Sequence, residues 1–141
     1  SVSTWNLRMS GPFTTFNSAV KALFVSGWGT TTPIQYEGEA FIPDAREFVR
    51  YNHVPASSAQ ASIGGPETLT RYAGYVQITI FVPMNTGSAR LDWLVDKTIG
   101  ILEKQTIGAI VLRTADVAKG DTGDGFAAAS VRFPYTQDVL T

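Results

Sequence analysis

Cysteine is absent from the 141 residues and histidine occurs once. Without cysteine there is no disulfide framework, no thiolate metal site and no thiol nucleophile, and a reducing compartment such as a cytosol poses no difficulty. A structural zinc site or a Ser-His-Asp triad would have to be built on His53 alone. The expected place of His53 is instead a strand at a partly exposed edge. Charge is also thin: charged residues make up 16%, and eleven basic against twelve acidic side chains give a net charge of −1. That excludes a generally basic nucleic-acid binder and a polybasic membrane binder. No uninterrupted apolar run approaches the ~18 residues of a membrane-spanning helix, and Ser1 does not open a basic-then-apolar leader. The expectation is a soluble, unexported chain.

What is present suffices for a core. Hydrophobic residues make up 44%, which argues against disorder. The length is about one domain's worth, enough to bury roughly two-thirds of the unfolded surface. Residues 1–12 lack periodicity and read as an arm, with Ser10-Gly11-Pro12 leading into a helix. Phe13, Phe16, Val20, Leu23 and Phe24 then recur at helical spacing opposite Thr14, Asn17, Ser18 and Lys21, which predicts an amphipathic helix ending near Gly27. Pro33 to Gly38 reads as holding a short strand, and Glu47 to Val54 as a second whose faces are both mixed. Residues 55–67, small and polar, read as a long loop. Tyr75, Gln77, Thr79 and Phe81 alternate with Val76, Ile78, Ile80 and Val82, the clearest strand in the sequence, with extended character from as early as Leu69. After a break at Pro83, Leu91, Leu94, Val95, Ile99 and Leu102 mark one face of a second helix. Ile107 to Val117 and Phe126 to Tyr135 read as two further extended stretches, joined by a Gly/Asp turn over Lys119 to Gly125.

This order predicts a single α+β domain over residues 1–141: a mainly antiparallel sheet, two helices on one face, and extended hairpin or loop arms. A length mismatch carries more than any motif. A compact chain of this size has a radius of gyration of ~14 Å, whereas an unbent run from Leu69 to Val82 extends roughly 45 Å. Together with the long loop, this points either to arms supported by neighbouring subunits or to a curved sheet with a floppy surface loop.

The search for catalytic chemistry returns little. Asp121-Thr122-Gly123 matches the triplet of aspartic proteases, where paired carboxylates share a proton, but it sits in a solvated turn, not after an apolar strand. An acid hydrolase using Asp121 stays a remote alternative. Asp116, Asp121 and Asp124 lack the ligand spacing and distal Glu of a calcium loop. The segment Asn85 to Arg90 lacks the second Gly and the Lys of a phosphate-binding loop, so Thr86 or Ser88 reads as a helix cap. Arg50-Tyr51 and Arg71-Tyr72 each pair a cation with an aromatic. With no basic cluster around them they suit a protein interface better than nucleic acid, and Ser62 and Ile63 in the loop join them as interface candidates. Trp28 is expected in the core. No catalytic residue, cofactor or metal is assigned.

The segments Pro33 to Pro43, Phe48 to Tyr51 and Arg71 to Pro83, with Gly87 shortly after, resemble in order and spacing the tail terminator proteins of long-tailed bacteriophages. The likeness runs on through the helix from Ala89 to Lys104 into the final hairpin. It implies an α+β subunit without catalysis, six copies of which form a ring at the head-proximal end of the virion tail. Such a ring caps the tail tube, stops its polymerisation and joins it to head-completion proteins. The implied partners are further copies of the chain, the tube protein and a connector protein. Genomic DNA passes through the lumen without specific binding, no membrane is involved, and synthesis is in the host cytoplasm. A tail tube or head-tail connector subunit is the alternative within the same assembly.

Overall fold

The computed structural model describes residues 12–36, 47–60, 69–84, 88–121 and 125–140. The expected arm over residues 1–12 lies outside these save Pro12, as do residues 61–67 of the expected loop and Thr122 to Asp124 of the expected Lys119–Gly125 turn, whose Lys119 to Asp121 are strand. Helix α1 (Pro12–Trp28) is followed by β1 (Ile34–Tyr36), β2 (Phe48–Gln60), β3 (Leu69–Pro83) and helix α2 (Ser88–Leu102). The chain then forms β4 (Thr106–Ile107), β5 (Ile110–Leu112), β6 (Asp116–Asp121) and β7 (Phe126–Leu140).

The strands make one sheet in the order β1-β2-β3-β7-β5-β4, with β6 beside β7. Every pairing is antiparallel except β1 with β2. The architecture is therefore α+β, as the element order predicts. Its spine is the β3–β7 ribbon, paired without a break from Leu69 opposite Leu140 to Pro83 opposite Phe126. At ~3.4 Å per residue, 15-residue strands extend about 50 Å.

Period-two alternation divides the sheet into two unlike faces. Val49, Tyr51 and His53 of β2, Val76, Ile78 and Ile80 of β3, and Ala129, Val131 and Phe133 of β7 stand in register on one face and are buried. Both helices cover that face, α1 with Phe16, Val20, Phe24 and Trp28 and α2 with Leu91, Leu94, Val95 and Leu102. Helix α1 stops where Gly29 turns left-handed at φ 61° and its N–H donates to the Val25 carbonyl at 2.9 Å, a C-terminal cap that glycine adopts without strain. Trp28 Nε1–H donates to Thr32 Oγ1 at 3.1 Å, so the largest core side chain has its one polar atom satisfied.

Three expectations are corrected. Residues 55–60 are strand, paired with Thr70 to Gly74 across a bulge between Pro55 and Ser57. Alanine and serine give no apolar alternation there, so the tertiary pairing with β3 decides the conformation. The stretch from Ile107 to Val117 is not one strand, because Gly108 at φ 59° turns β4 back onto β5 and a further break precedes β6. His53 is not at a partly exposed edge: it is 9% exposed, stacked on Phe16 at 4.3 Å and 2.6 Å from the Tyr135 hydroxyl through Nε2. Burial pushes the Tyr135 phenol above its ordinary pKa, so it stays protonated through neutral pH.

Candidate assembly surfaces

Burial falls off along β3 toward Leu69. Along β3 every residue from Val76 to Val82 except Gln77 is buried, whereas from Leu69 to Tyr75 none is. On β2, Pro55 to Ser58 are exposed. Beyond Tyr51, where β1 ends its pairing, the outer edge of β2 has no neighbour among the described residues. An open edge presents unpaired N–H and C=O groups to any strand that approaches, although Pro55 and the bulge interrupt the template. Phe13, 46% exposed, stands over this region with its ring edge-on to Tyr72 at 6.1 Å. It thus leaves the core stripe that its spacing had assigned to it. Phe13, Pro55 to Ser58, Tyr72 and Ala73 line a shallow cleft of about 220 Å³.

The sequence-predicted interface residues separate. Arg71 is exposed on the ribbon and bidentate to Asp138 of β7, with Nε to Oδ1 at 2.8 Å and Nη2 to Oδ2 at 3.2 Å. Tyr72 lies on the helix face beside the cleft. Arg50 is on the face opposite the helices, opposite Thr79 and roughly 26 Å along the strand direction from Arg71 at ~3.3 Å per residue. Tyr51, its neighbour in sequence, points the other way and is 2% exposed, with Phe24 at 6.1 Å. It is a core residue. Ser62 and Ile63 lie outside the described residues, and of Asp121 only the backbone is described, at the end of β6 opposite Ala127.

The hydrogen bond from Arg71 holds the Asp138 carboxyl below its ordinary range, with the guanidinium charge adding to it. The sign follows from linkage: the contribution of a depressed carboxylate is present above its unfolded pKa and is lost as pH falls through the lowered value. Arg71→Gln is expected to raise the Asp138 titration midpoint, followed by carboxyl NMR, into the ordinary carboxylate range. An unchanged midpoint would mean that the pair is not formed in solution.

A residue missed in the sequence is Trp93, 49% exposed on α2, with the Arg90 guanidinium 4.7 Å and the Lys97 ammonium 5.4 Å from its ring centre. Arg90 is in turn fixed by Glu47, whose carboxylate accepts from both Nε and Nη2. Trp93 falls two residues after Leu91, off the apolar stripe of its helix, and that offset was the available signal. Trp and Arg are the side chains that most often anchor protein interfaces.

Among the described residues no group of three or more His, Asp or Glu side chains could hold a metal ion. None of their helices is long and apolar enough to cross a membrane. Partly buried edges, exposed aromatics and paired arginines suit contacts between proteins.

Comparison with known proteins bears on what those contacts serve. No curated protein matches the sequence. A solved structure that carries no functional name matches with a TM-score of 0.61 at 17% identity, over 86% of this chain and 94% of that one; at this identity the likeness shows the fold alone. The family described as phage tail terminator protein matches residues 15–101, more than half of the chain, from α1 to the last turn of α2. The chain therefore belongs to the phage tail terminator protein family and is a structural protein of the phage tail.

Proposed function

We propose that this chain forms a closed ring, a homohexamer, at the head-proximal end of the tail. There it caps the tail tube, stops further polymerisation and joins the tube to the head-completion connector. Family membership over residues 15–101 is the observation that carries the reading. The edge of β2 that has no neighbour among the described residues and the half-exposed end of β3 fit it, because a head-to-tail ring needs two different complementary surfaces on each subunit, and an open strand edge is one that a neighbour can complete. Arg71 and Tyr72 on the ribbon, with Ser62 and Ile63 in the connection between its strands, belong to the contact with a neighbouring copy or with the tube. Arg50, on the face away from the helices that it shares with Arg71, belongs to a second contact further along the sheet. Genomic DNA crosses the lumen without specific binding, as suits a chain of net charge −1.

Electron microscopy of the virion neck, combined with mass measurement of purified tails, tests the reading. The expected result is one ring of this chain above the last tube ring. Absence of the chain from that end of the tube would overturn it. Purified protein that grows into long filaments would instead assign it to the tube.

A further inference from the structure

The face of the sheet opposite the helices carries the same small device twice. On β2, Arg50 donates from Nε to Gln35 Oε1 at 3.0 Å, and its guanidinium carbon lies 5.1 Å from the centre of the Phe81 ring. On β7, Arg132 donates from Nε to Gln77 Oε1 at 3.1 Å, and its guanidinium carbon lies 5.0 Å from the centre of the Tyr75 ring. Each guanidinium is thus held by one amide oxygen and one aromatic face, both of them neutral. No ion pair neutralises either arginine among the described residues, and neither one's Nη nitrogens make a hydrogen bond there. Registers Arg50–Thr79–Ser130 and Gln77–Arg132 place the two about 12 Å apart at the backbone, from ~4.8 Å per strand and ~3.3 Å per residue.

We propose that Arg50 and Arg132 are a pre-organised pair of forks that docks carboxylate side chains from an acidic segment of another protein on the face of the sheet opposite the helices. Guanidinium and carboxylate match in a bidentate geometry that uses the Nη groups left free here. Fixing the arginines beforehand by Gln and aromatic contacts lowers the ordering cost of binding. Charge complementarity selects the occupant. Among the described residues neither arginine is ion-paired, and the carboxylate beside them on this face is Asp116, which stands opposite Arg132 in register without bonding it. Arg71, also on this face, is already closed by Asp138. A nucleic-acid backbone, with one charge per ~1.7 Å of duplex, would meet Asp116 and Asp138 along with the arginines. Separate protein carboxylates can meet two separate forks without that repulsion.

The proposal stands apart from the ring reading and is tested on the purified chain with arginine side-chain NMR. The probes are hexaglutamate, hexaglutamine as the neutral control and a 12-base-pair DNA duplex. Hexaglutamate is expected to shift the Arg50 and Arg132 resonances, assigned through Arg50→Lys and Arg132→Lys, and to leave Arg71 in place as the internal control. The double variant Arg50→Gln/Arg132→Gln, checked for an unchanged thermal midpoint, is expected to weaken hexaglutamate binding by at least about tenfold. If that variant does not fold, the two lysine variants carry the test: they keep the charge and lose the fork, and each is expected to weaken binding by a few fold. No shift with hexaglutamate, an equal shift at Arg71, or a response to the duplex alone would overturn the proposal.

Discussion

Trp28→Ala is expected to lower the unfolding free energy by about 4 kcal/mol, the upper part of the range for removing a large buried aromatic. Trp28 is 1% exposed and fills the space between the end of α1, the Phe24 ring stacked at 5.2 Å and the Lys97 ammonium of α2, 5.9 Å from its ring centre. Truncation leaves a void that the sheet beneath cannot collapse to fill, and removes the donor to Thr32 Oγ1. Thr32 is itself 6% exposed and has little access to replacement water. Because domains of this size are stable by only ~5–15 kcal/mol, the variant is expected to unfold at a much lower urea concentration in a circular-dichroism titration. Trp93→Ala is the control. That indole is half exposed, so its loss is expected to cost less than about 1 kcal/mol. Equal losses in the two variants would mean that the packing of α1 on the sheet is not what stabilises the fold.

The contrast between these tryptophans also shows what the sequence could reveal. Phe16, Val20 and Phe24 repeat at helical spacing and Trp28 continues the stripe by four, so the helix and its buried face were legible. The alternation from Tyr75 to Val82 was equally plain, because one face is apolar and the register of β3 follows from it. Residues 55–60 were not legible: Ala and Ser carry no burial signal, and their strand conformation comes from hydrogen bonds to Thr70 through Gly74, partners more than a dozen residues away for most of them. The interface candidates failed differently. Arg50 and Tyr51 are adjacent in sequence, but in a strand adjacency puts side chains on opposite faces, so only Arg50 is on the accessible side. His53 looked polar and therefore peripheral, whereas the Tyr135 hydroxyl, 82 residues later, makes it compatible with burial. The Arg–Gln–aromatic pairs could not be read at all, since each joins residues that only the sheet register brings together.

Gly74→Ala is expected to destabilise the protein by about 2–3 kcal/mol, in the range for overpacking against atoms that cannot move aside. In most strands the same change is favourable, because alanine has less conformational freedom to lose than glycine, by roughly 0.5–1 kcal/mol. Gly74 pairs with Pro55 at the bulge, and a Cβ built there would lie 2.3 Å from the Val54 carbonyl oxygen and 2.9 Å from the Pro55 Cα. Both are backbone atoms, so relief requires opening the β2–β3 pairing at the bulge. The steric cost therefore exceeds the entropic gain, and the sign of the change reverses. Gly100→Ala provides the opposite expectation in the same molecule, since nothing lies within 4 Å of its Cβ position and a helix gains about 0.8–1 kcal/mol from the exchange. Hydrogen exchange separates local from global effects: the hydrogen-bonded amides within Asn52 to Val54, Ala56 to Ser58 and Tyr72 to Val76 are expected to lose protection in Gly74→Ala beyond the global loss. If Gly74→Ala is as stable as the parent and its ribbon amides stay protected, the bulge is not held by close backbone approach at this position. The outer edge of β2 would then need another explanation for its shape.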